Sequence, residues 1–244
     1  MTAAPQLAVA LDLPERDAAL DMAARLRGIA PWVKVGMELF TLCGPSVLER
    51  LKDMGFRVFL DLKFHDIPNT VARAVGAAAR GGADMITLHV QGGRRMCEAA
   101  RDAADALRSG GERAPLLFGV TVLTSFGPGE MPGIAADPPT FALELAREAA
   151  LWGLDGVVCS AREAASIKAA APALSCLCPG IRPEGDAPDD QRRVMTPASA
   201  VLAGADYLVV GRPITRSGNP AEAARRILAE MRLENVQAGS ANMS

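Results

Sequence analysis

The sequence has few aromatic residues, few histidines and no excess of basic residues. Aromatic side chains make up 4% of its 244 residues, so aliphatic residues must supply most of a hydrophobic core. The formal net charge of −2 leaves no basic excess to neutralise a polyanion, so we expect no nucleic-acid partner. Two histidines offer little capacity for a metal site, and neither a G-x-G-x-x-G fingerprint nor a P-loop is present. We therefore expect no metal and no cofactor.

The sequence also lacks paired cysteines and long apolar runs. Its five cysteines (Cys43, Cys97, Cys159, Cys176 and Cys178) are odd in number and form no C-x-x-C motif, which favours reduced thiols in the cytoplasm. The first apolar stretch is short, follows no basic segment and ends at Asp12, unlike a signal peptide. No apolar stretch reaches the roughly 18 residues of a membrane span. We expect a cytoplasmic protein without a membrane partner.

Short apolar runs alternate with Ala-rich stretches of helical period along the chain. The predicted strands are Leu7–Leu11, Trp32–Val35, Arg57–Asp61, Met85–His89, Leu116–Val122, Gly156–Cys159, Leu174–Cys178 and Tyr207–Val210. The predicted helices are Glu15–Arg27, Gly44–Met54, Thr70–Arg80, Arg94–Leu107, Thr140–Leu151, Glu163–Ala169, Pro197–Ala203 and Ala221–Arg232. Repeated β–α units predict an α/β protein with a parallel sheet, either a closed (β/α)8 barrel or an open doubly wound sheet.

We favour the barrel because polar residues follow so many of the predicted strands. A single barrel domain is predicted over residues 1–234, followed by a disordered tail over 235–244. Two long loops, Ser125–Pro139 and Arg182–Arg193, each follow a strand and would lie at the carboxyl-end face. Loops of this length are more often lids or binding loops than plain connections.

Charged residues are concentrated at the ends of the first three predicted strands. Asp61 and Lys63 are two residues apart, so a regular strand would direct both side chains to one face. Lys34 lies on the second strand, Asp12 follows the first, and Asp66 lies just beyond the third. Grouping such charges is costly unless they pair, so the arrangement indicates either a catalytic site or a salt-bridge network that seals the barrel.

A second group of residues fits a phosphate site. Gly211 and Arg212 follow the eighth strand, where a backbone N–H and a guanidinium could hold a phosphate. Arg182 and Gln191 belong to the loop after the seventh strand. Since (β/α)8 barrels commonly bind phosphate after strands seven and eight, we predict that this end of the barrel binds a phosphate ester.

The segment DLKFHDIPNT (61–70), with KVGMELF upstream and GRPIT downstream, resembles the bacterial orotidine 5′-phosphate decarboxylase family. The similarity extends from ALD near residue 10 to VVGRPIT near residue 215. The resemblance implies a cofactor-independent enzyme that converts orotidine 5′-phosphate to uridine 5′-phosphate, the last step of de novo pyrimidine nucleotide synthesis. It also implies a homodimer.

The resemblance implies a role for each matching residue. The catalytic array would consist of Lys34, Asp61, Lys63 and Asp66. Asp12 and Lys34 would bind the ribose, Thr124 would bind the pyrimidine, and Asp61 and Asp66 of the array would also contact the substrate. The phosphate would be bound by Arg182, Gln191, Gly211 and Arg212. Asp66, Ile67 and Thr70 would enter the partner subunit's site.

Two other functions fit part of the pattern. A Mg²⁺-dependent sugar-phosphate decarboxylase or aldolase of the same superfamily shares the D-x-K-x-x-D core. A non-catalytic barrel that binds phosphate ligands would need only the phosphate group of residues, and retention of the charged array argues against it.

Overall fold

The computed structural model describes residues 4–184 and 195–241, with side chains as far as Arg232. Eight parallel strands form a closed barrel in sequence order, and β1 pairs with both β2 and β8. The strands are β1 Gln6–Ala10, β2 Trp32–Gly36, β3 Arg57–Phe64, β4 Met85–His89, β5 Leu116–Val120, β6 Gly156–Val158, β7 Ser175–Cys178 and β8 Tyr207–Val210. The predicted (β/α)8 barrel is confirmed, and the open sheet is excluded because it would leave two unpaired edges.

Helices connect successive strands on the outside of the barrel. They are α1 Arg16–Leu26, α2 Met37–Cys43, α3 Ser46–Asp53, α4 Pro68–Arg80, α5 Arg94–Ser109, α6 Pro138–Leu151, α7 Ala161–Ala170, α8 Pro197–Leu202, α9 Arg212–Thr215 and α10 Pro220–Ala241, with a 3₁₀ turn at Val90–Gly92. The sequence pattern did not predict α2, α9 or this turn, because each is a short helical segment that begins within two residues of the end of a strand, where a strand end or loop was expected. None of the described helices is both long and apolar enough to span a membrane.

The predicted end of the barrel domain at residue 234 falls inside α10. The boundary between domain and tail therefore stays a prediction. Residues 242–244 lie outside the described residues.

Each strand contributes side chains to two separate apolar cores. One face packs against the helices, as Leu7, Val9 and Val33 do. The other face fills the barrel interior with Ala8, Ala10, Trp32, Phe59, Met85, Phe118, Leu177 and Val209. The ring of Tyr207 packs edge-on against Trp32 and Phe118, with centroid distances of 5.8 and 5.5 Å. The interior is thus a packed core, and polar side chains collect at the carboxyl ends of the strands.

Candidate active site

A cleft of about 740 Å³ opens at the carboxyl ends of the strands. This volume lies within the range usual for small-molecule sites. Of the predicted site residues, Asp12, Lys34, Asp61, Lys63, Thr124, Arg182, Gly211 and Arg212 line it. A second cavity, of about 430 Å³, is lined by residues at the start of β1 and the end of α1 and contains none of the predicted site residues. The fold therefore brings the predicted catalytic and phosphate-binding residues to one cleft.

Three of the four predicted array residues form a continuous chain of ion pairs at the mouth. Lys34 Nζ lies 2.9 Å from Asp12 Oδ1 and 3.6 Å from Asp61 Oδ2. Lys63 Nζ lies 2.9 Å from Asp61 Oδ1. The Lys34 and Asp61 side chains are 10% and 13% exposed, so solvent screens this part of the chain less than a surface pair. Asp61 is therefore held between two ammonium groups.

The pKa of Asp61 reflects opposing influences. Burial acts to raise the pKa of this carboxyl, but the charges of Lys34 and Lys63 and the hydrogen bonds from Lys63 and Thr87 outweigh it. The net effect lowers the pKa below its ordinary value of 3.8. Asp61 is consequently ionised at neutral pH, and the cleft contains a fixed negative charge beside two positive ones.

The backbone at Lys63 departs from a regular strand. Its φ of 53° makes it the one non-glycine residue with positive φ in the described part of the chain. The pairing of β3 with β4 shifts here, since Leu60 pairs with Ile86 and Phe64 with Leu88. The prediction that Asp61 and Lys63 lie together assumed the side-chain alternation of a regular strand, and this assumption was wrong. Both residues nevertheless line the cleft. A residue held in such a conformation costs on the order of 1–3 kcal/mol, and such residues cluster at functional sites.

A buried hydroxyl group contacts both residues of this irregular segment. The Thr87 side chain on β4 is fully buried, and its Oγ1 accepts a hydrogen bond from the Lys63 backbone N–H at 3.0 Å. The same hydroxyl donates to Asp61 Oδ1, also at 3.0 Å. Thr87 was not among the predicted site residues, because a threonine within an apolar strand carries no signal that separates it from ordinary core residues.

The predicted phosphate residues lie on the other side of the cleft. Arg182 is 8% exposed, and its Nη1 donates to the Ile181 carbonyl at 2.9 Å. Gly211 ends β8, and Arg212 begins the short helix α9. Arg216 also lines the cleft and was missed, although its position one helical turn after Arg212 could have indicated it. Gln191 and most of the predicted loop Arg182–Arg193 lie outside the described residues.

Asp66, Ile67 and Thr70 do not line the cleft of their own chain. All three are exposed, and the Ile67 side chain is 67% exposed. Asp66 Oδ1 accepts a hydrogen bond from the Ile67 N–H at 2.6 Å, close to the first turn of α4. Within one chain, the fourth predicted array residue is therefore separate from the other three.

Both histidines of the chain lie near the array. The rings of His65 and His89 have centroids 5.3 Å apart. Burial lowers the pKa of His89 below 6.5, and the nearby charges of His65 and Lys63 act in the same direction, whereas Asp61 opposes them. In the described part of the chain, no group of three or more His, Cys, Asp or Glu side chains is arranged to hold a metal ion.

The fold and the cleft define a class: a (β/α)8-barrel protein with an alternating array of acidic and basic side chains at its mouth. A family model described as "Orotidine 5'-phosphate decarboxylase / HUMPS family" matches residues 5–227. The chain belongs to this family.

Sequence relatives and a solved structure agree with this membership. The chain is 60% identical over 231 residues to an orotidine 5′-phosphate decarboxylase of Nitratidesulfovibrio vulgaris strain DP4, covering 93% of this chain and 97% of the relative. It is 52% identical over 227 residues to one from Pseudomonas fluorescens strain Pf-5, covering 92% and 96%. The crystal structure of the Lactobacillus acidophilus enzyme superposes with a TM-score of 0.83 at 34% identity, covering 94% and 100%.

Proposed function

We propose that this protein decarboxylates orotidine 5′-phosphate to uridine 5′-phosphate, the last step of de novo pyrimidine nucleotide synthesis, and that it needs no metal or cofactor. The observation that carries the proposal is the Lys34–Asp61–Lys63 array in the cleft. The relatives of this chain, which are named orotidine 5′-phosphate decarboxylase, support the same reaction. The free thiols of all five cysteines support a reducing compartment, and we propose the cytoplasm.

The chemistry requires strong electrostatic assistance. Breaking the bond between C6 and the carboxylate leaves the electron pair on C6, and the pyrimidine ring offers no nearby electron sink. Enzymes usually lower such barriers by roughly 8–23 kcal/mol, and this reaction needs the upper part of that range. A preorganised cation in a cleft shielded from water can supply much of it.

Lys63 is the group best placed to stabilise the carbanion. In our proposal its ammonium faces the developing charge at C6 and then donates a proton to that carbon, becoming a neutral amine that solvent reprotonates. Its position beside Asp61 supports this role, because the 2.9 Å contact holds the ammonium inside the cleft. Asp61 lies near the departing carboxylate and disfavours the ground state more than the transition state.

The remaining cleft residues bind the parts of the substrate that do not react. Asp12 and Lys34 contact the ribose hydroxyls, and Thr124 reads the edge of the pyrimidine. Arg182, Gln191, Gly211 and Arg212 bind the phosphate. Because the phosphate is remote from C6, its binding energy can be used to hold the substrate with C6 at the reacting side chains.

The active form in this proposal is a homodimer. Asp66, Ile67 and Thr70 enter the partner subunit's cleft, where Asp66 completes the array beside Lys63. The exposure of all three residues in the single chain supports this arrangement, because it leaves their side chains accessible to a second subunit.

The first test is an ultraviolet assay for loss of orotidine 5′-phosphate, run with and without EDTA. Conversion to uridine 5′-phosphate at the same rate in both conditions is the expected result. Turnover that requires Mg²⁺ and occurs only with sugar phosphates would instead support the related lyase or aldolase function. Binding of uridine 5′-phosphate without turnover of either substrate would instead support the function of a non-catalytic barrel that binds phosphate ligands.

A further inference from the structure

Thr87 differs from an ordinary buried threonine in the groups that it contacts. Thr121, which is also fully buried, donates its hydroxyl hydrogen to the Val158 backbone carbonyl at 2.8 Å. That bond satisfies the hydroxyl and involves no functional group. Thr87 uses both its donor and its acceptor capacity on Asp61 and Lys63, the two residues proposed to act at the reacting carbon.

The first of these bonds stabilises an unusual backbone. Between the pairs Leu60–Ile86 and Phe64–Leu88, β3 advances by four residues while β4 advances by two, so the regular ladder is broken. The Lys63 N–H lies within this break, and the Thr87 hydroxyl accepts its hydrogen at 3.0 Å. The Thr87 side chain on β4 thus accepts the hydrogen bond that a backbone carbonyl would accept in a regular β-ladder. The residue whose N–H it binds, Lys63, is the one with a φ of 53°.

The second bond orients the carboxylate. Asp61 Oδ1 accepts from both Thr87 Oγ1 and Lys63 Nζ, at 3.0 and 2.9 Å. Its other oxygen, Oδ2, faces Lys34 Nζ at 3.6 Å. With Oδ1 held from β4, the carboxylate cannot turn without losing one of these contacts. These three contacts therefore favour one orientation of the carboxylate.

We infer that Thr87 is a positioning residue, whose hydroxyl holds the Lys63 backbone in its left-handed conformation and the Asp61 carboxylate in one orientation. The inference rests on the proposed function, because it is the decarboxylation that needs Lys63 and Asp61 so placed. Thr87 itself does not line the cleft, so its effect on the reaction passes through these two residues. Misplacing a catalytic group by about 1 Å can cost on the order of a hundredfold in rate.

The test compares Thr87→Val, which keeps the shape and removes the hydroxyl, with Thr87→Ser, which keeps the hydroxyl. We expect Thr87→Val to lower kcat by roughly tenfold to a hundredfold while KM and the Kd for uridine 5′-phosphate change less than about threefold. Thr87→Ser should restore kcat to within about threefold of the wild type. The matched control, Thr121→Val, removes an equally buried hydroxyl and should leave kcat within about threefold.

Two outcomes overturn the inference. One is a folded Thr87→Val protein with wild-type kcat. The other is a Thr87→Ser protein as impaired as Thr87→Val, which would mean that any change at this buried position impairs the enzyme and that the hydroxyl has no specific role. If Thr87→Val does not fold, Thr87→Cys replaces it, because a thiol is only a weak donor and acceptor and should lower kcat in the same way. A wild-type protein that fails to convert orotidine 5′-phosphate would refute the proposed function instead.

Discussion

The ammonium of Lys63 lies 2.9 Å from the carboxylate of Asp61 across a break in the strand that carries both residues. A regular strand would also direct both side chains to one face, but it would hold Lys63 in the ordinary extended conformation. The positive φ of Lys63 instead turns the backbone at the mouth, where Thr87 holds it.

Replacing Lys63 with Ala should abolish measurable turnover, with a loss of roughly a thousandfold or more, because the variant lacks the ammonium proposed to stabilise the carbanion and to protonate C6. Binding of uridine 5′-phosphate should survive, since the phosphate residues are intact. A steady-state assay measures the turnover, and calorimetric titration measures the binding of uridine 5′-phosphate. Lys52→Ala is the control: Lys52 is similarly exposed and paired with Asp84, but it does not line the cleft. Near-normal turnover of Lys63→Ala would refute the role of Lys63.

Replacing Arg212 with Ala should lower kcat/KM for orotidine 5′-phosphate by roughly tenfold to a hundredfold, the effect of losing one charged hydrogen-bonding group. The array residues remain in place, so the loss should vanish with orotidine, the substrate without its phosphate. Both substrates are compared in the same assay. An equal loss for orotidine would mean that Arg212 acts through the structure of the cleft and not through the phosphate. Arg225→Ala, on the exposed face of α10, should change neither value.

The lowered pKa of Asp61 predicts a pH-dependent contribution to stability. Between the folded pKa and the ordinary value of 3.8, the unfolded chain binds more protons at this site, so stability rises with pH across this window. The free energy of unfolding of Asp61→Asn should therefore be lower than that of the wild type, and above pH 5 this deficit should be constant. This deficit should shrink as the pH falls below 3.8.

Urea unfolding at several pH values measures this deficit. The deficit should persist at about 0.5 M salt, because the carboxylate is largely buried and screened less than a surface charge. The surface variant Asp105→Asn, which loses ion pairs to Arg101 and Arg108, should show a deficit that salt abolishes. A deficit for Asp61→Asn that does not change with pH would contradict the assignment.

The proposed dimer predicts that two inactive variants can complement each other. A Lys63→Ala subunit still supplies Asp66, and an Asp66→Ala subunit still supplies Lys63, so each mixed dimer contains one complete site. After unfolding and refolding of an equal mixture, random pairing should restore about a quarter of the wild-type activity per subunit. No recovery from a mixture that contains mixed dimers would show that Asp66 acts in its own subunit. Refolding each variant alone provides the background rate.

Much of the fold could be predicted because barrel strands have a strong signature. Met85–His89 and Tyr207–Val210 were predicted with their observed bounds, since each is an apolar run between helical stretches. β3 was predicted to end at Asp61 but continues to Phe64, because the register shift has no counterpart in the hydrophobic pattern. Helix α9 was not predicted, because its four residues form only about one helical turn and show no period.

Three features could be predicted from the sequence alone: the number of β–α units, the residue types of the array and their positions at the carboxyl ends of the strands. These follow from local hydrophobic period and from motif, which need no knowledge of distant contacts. Three other features became visible only in the folded barrel. Lys34 lies between Asp12 and Asp61, Lys63 has a left-handed backbone, and the Thr87 hydroxyl contacts both Asp61 and Lys63. These features depend on the register between neighbouring strands, which is decided by packing over the whole barrel and not by any one segment.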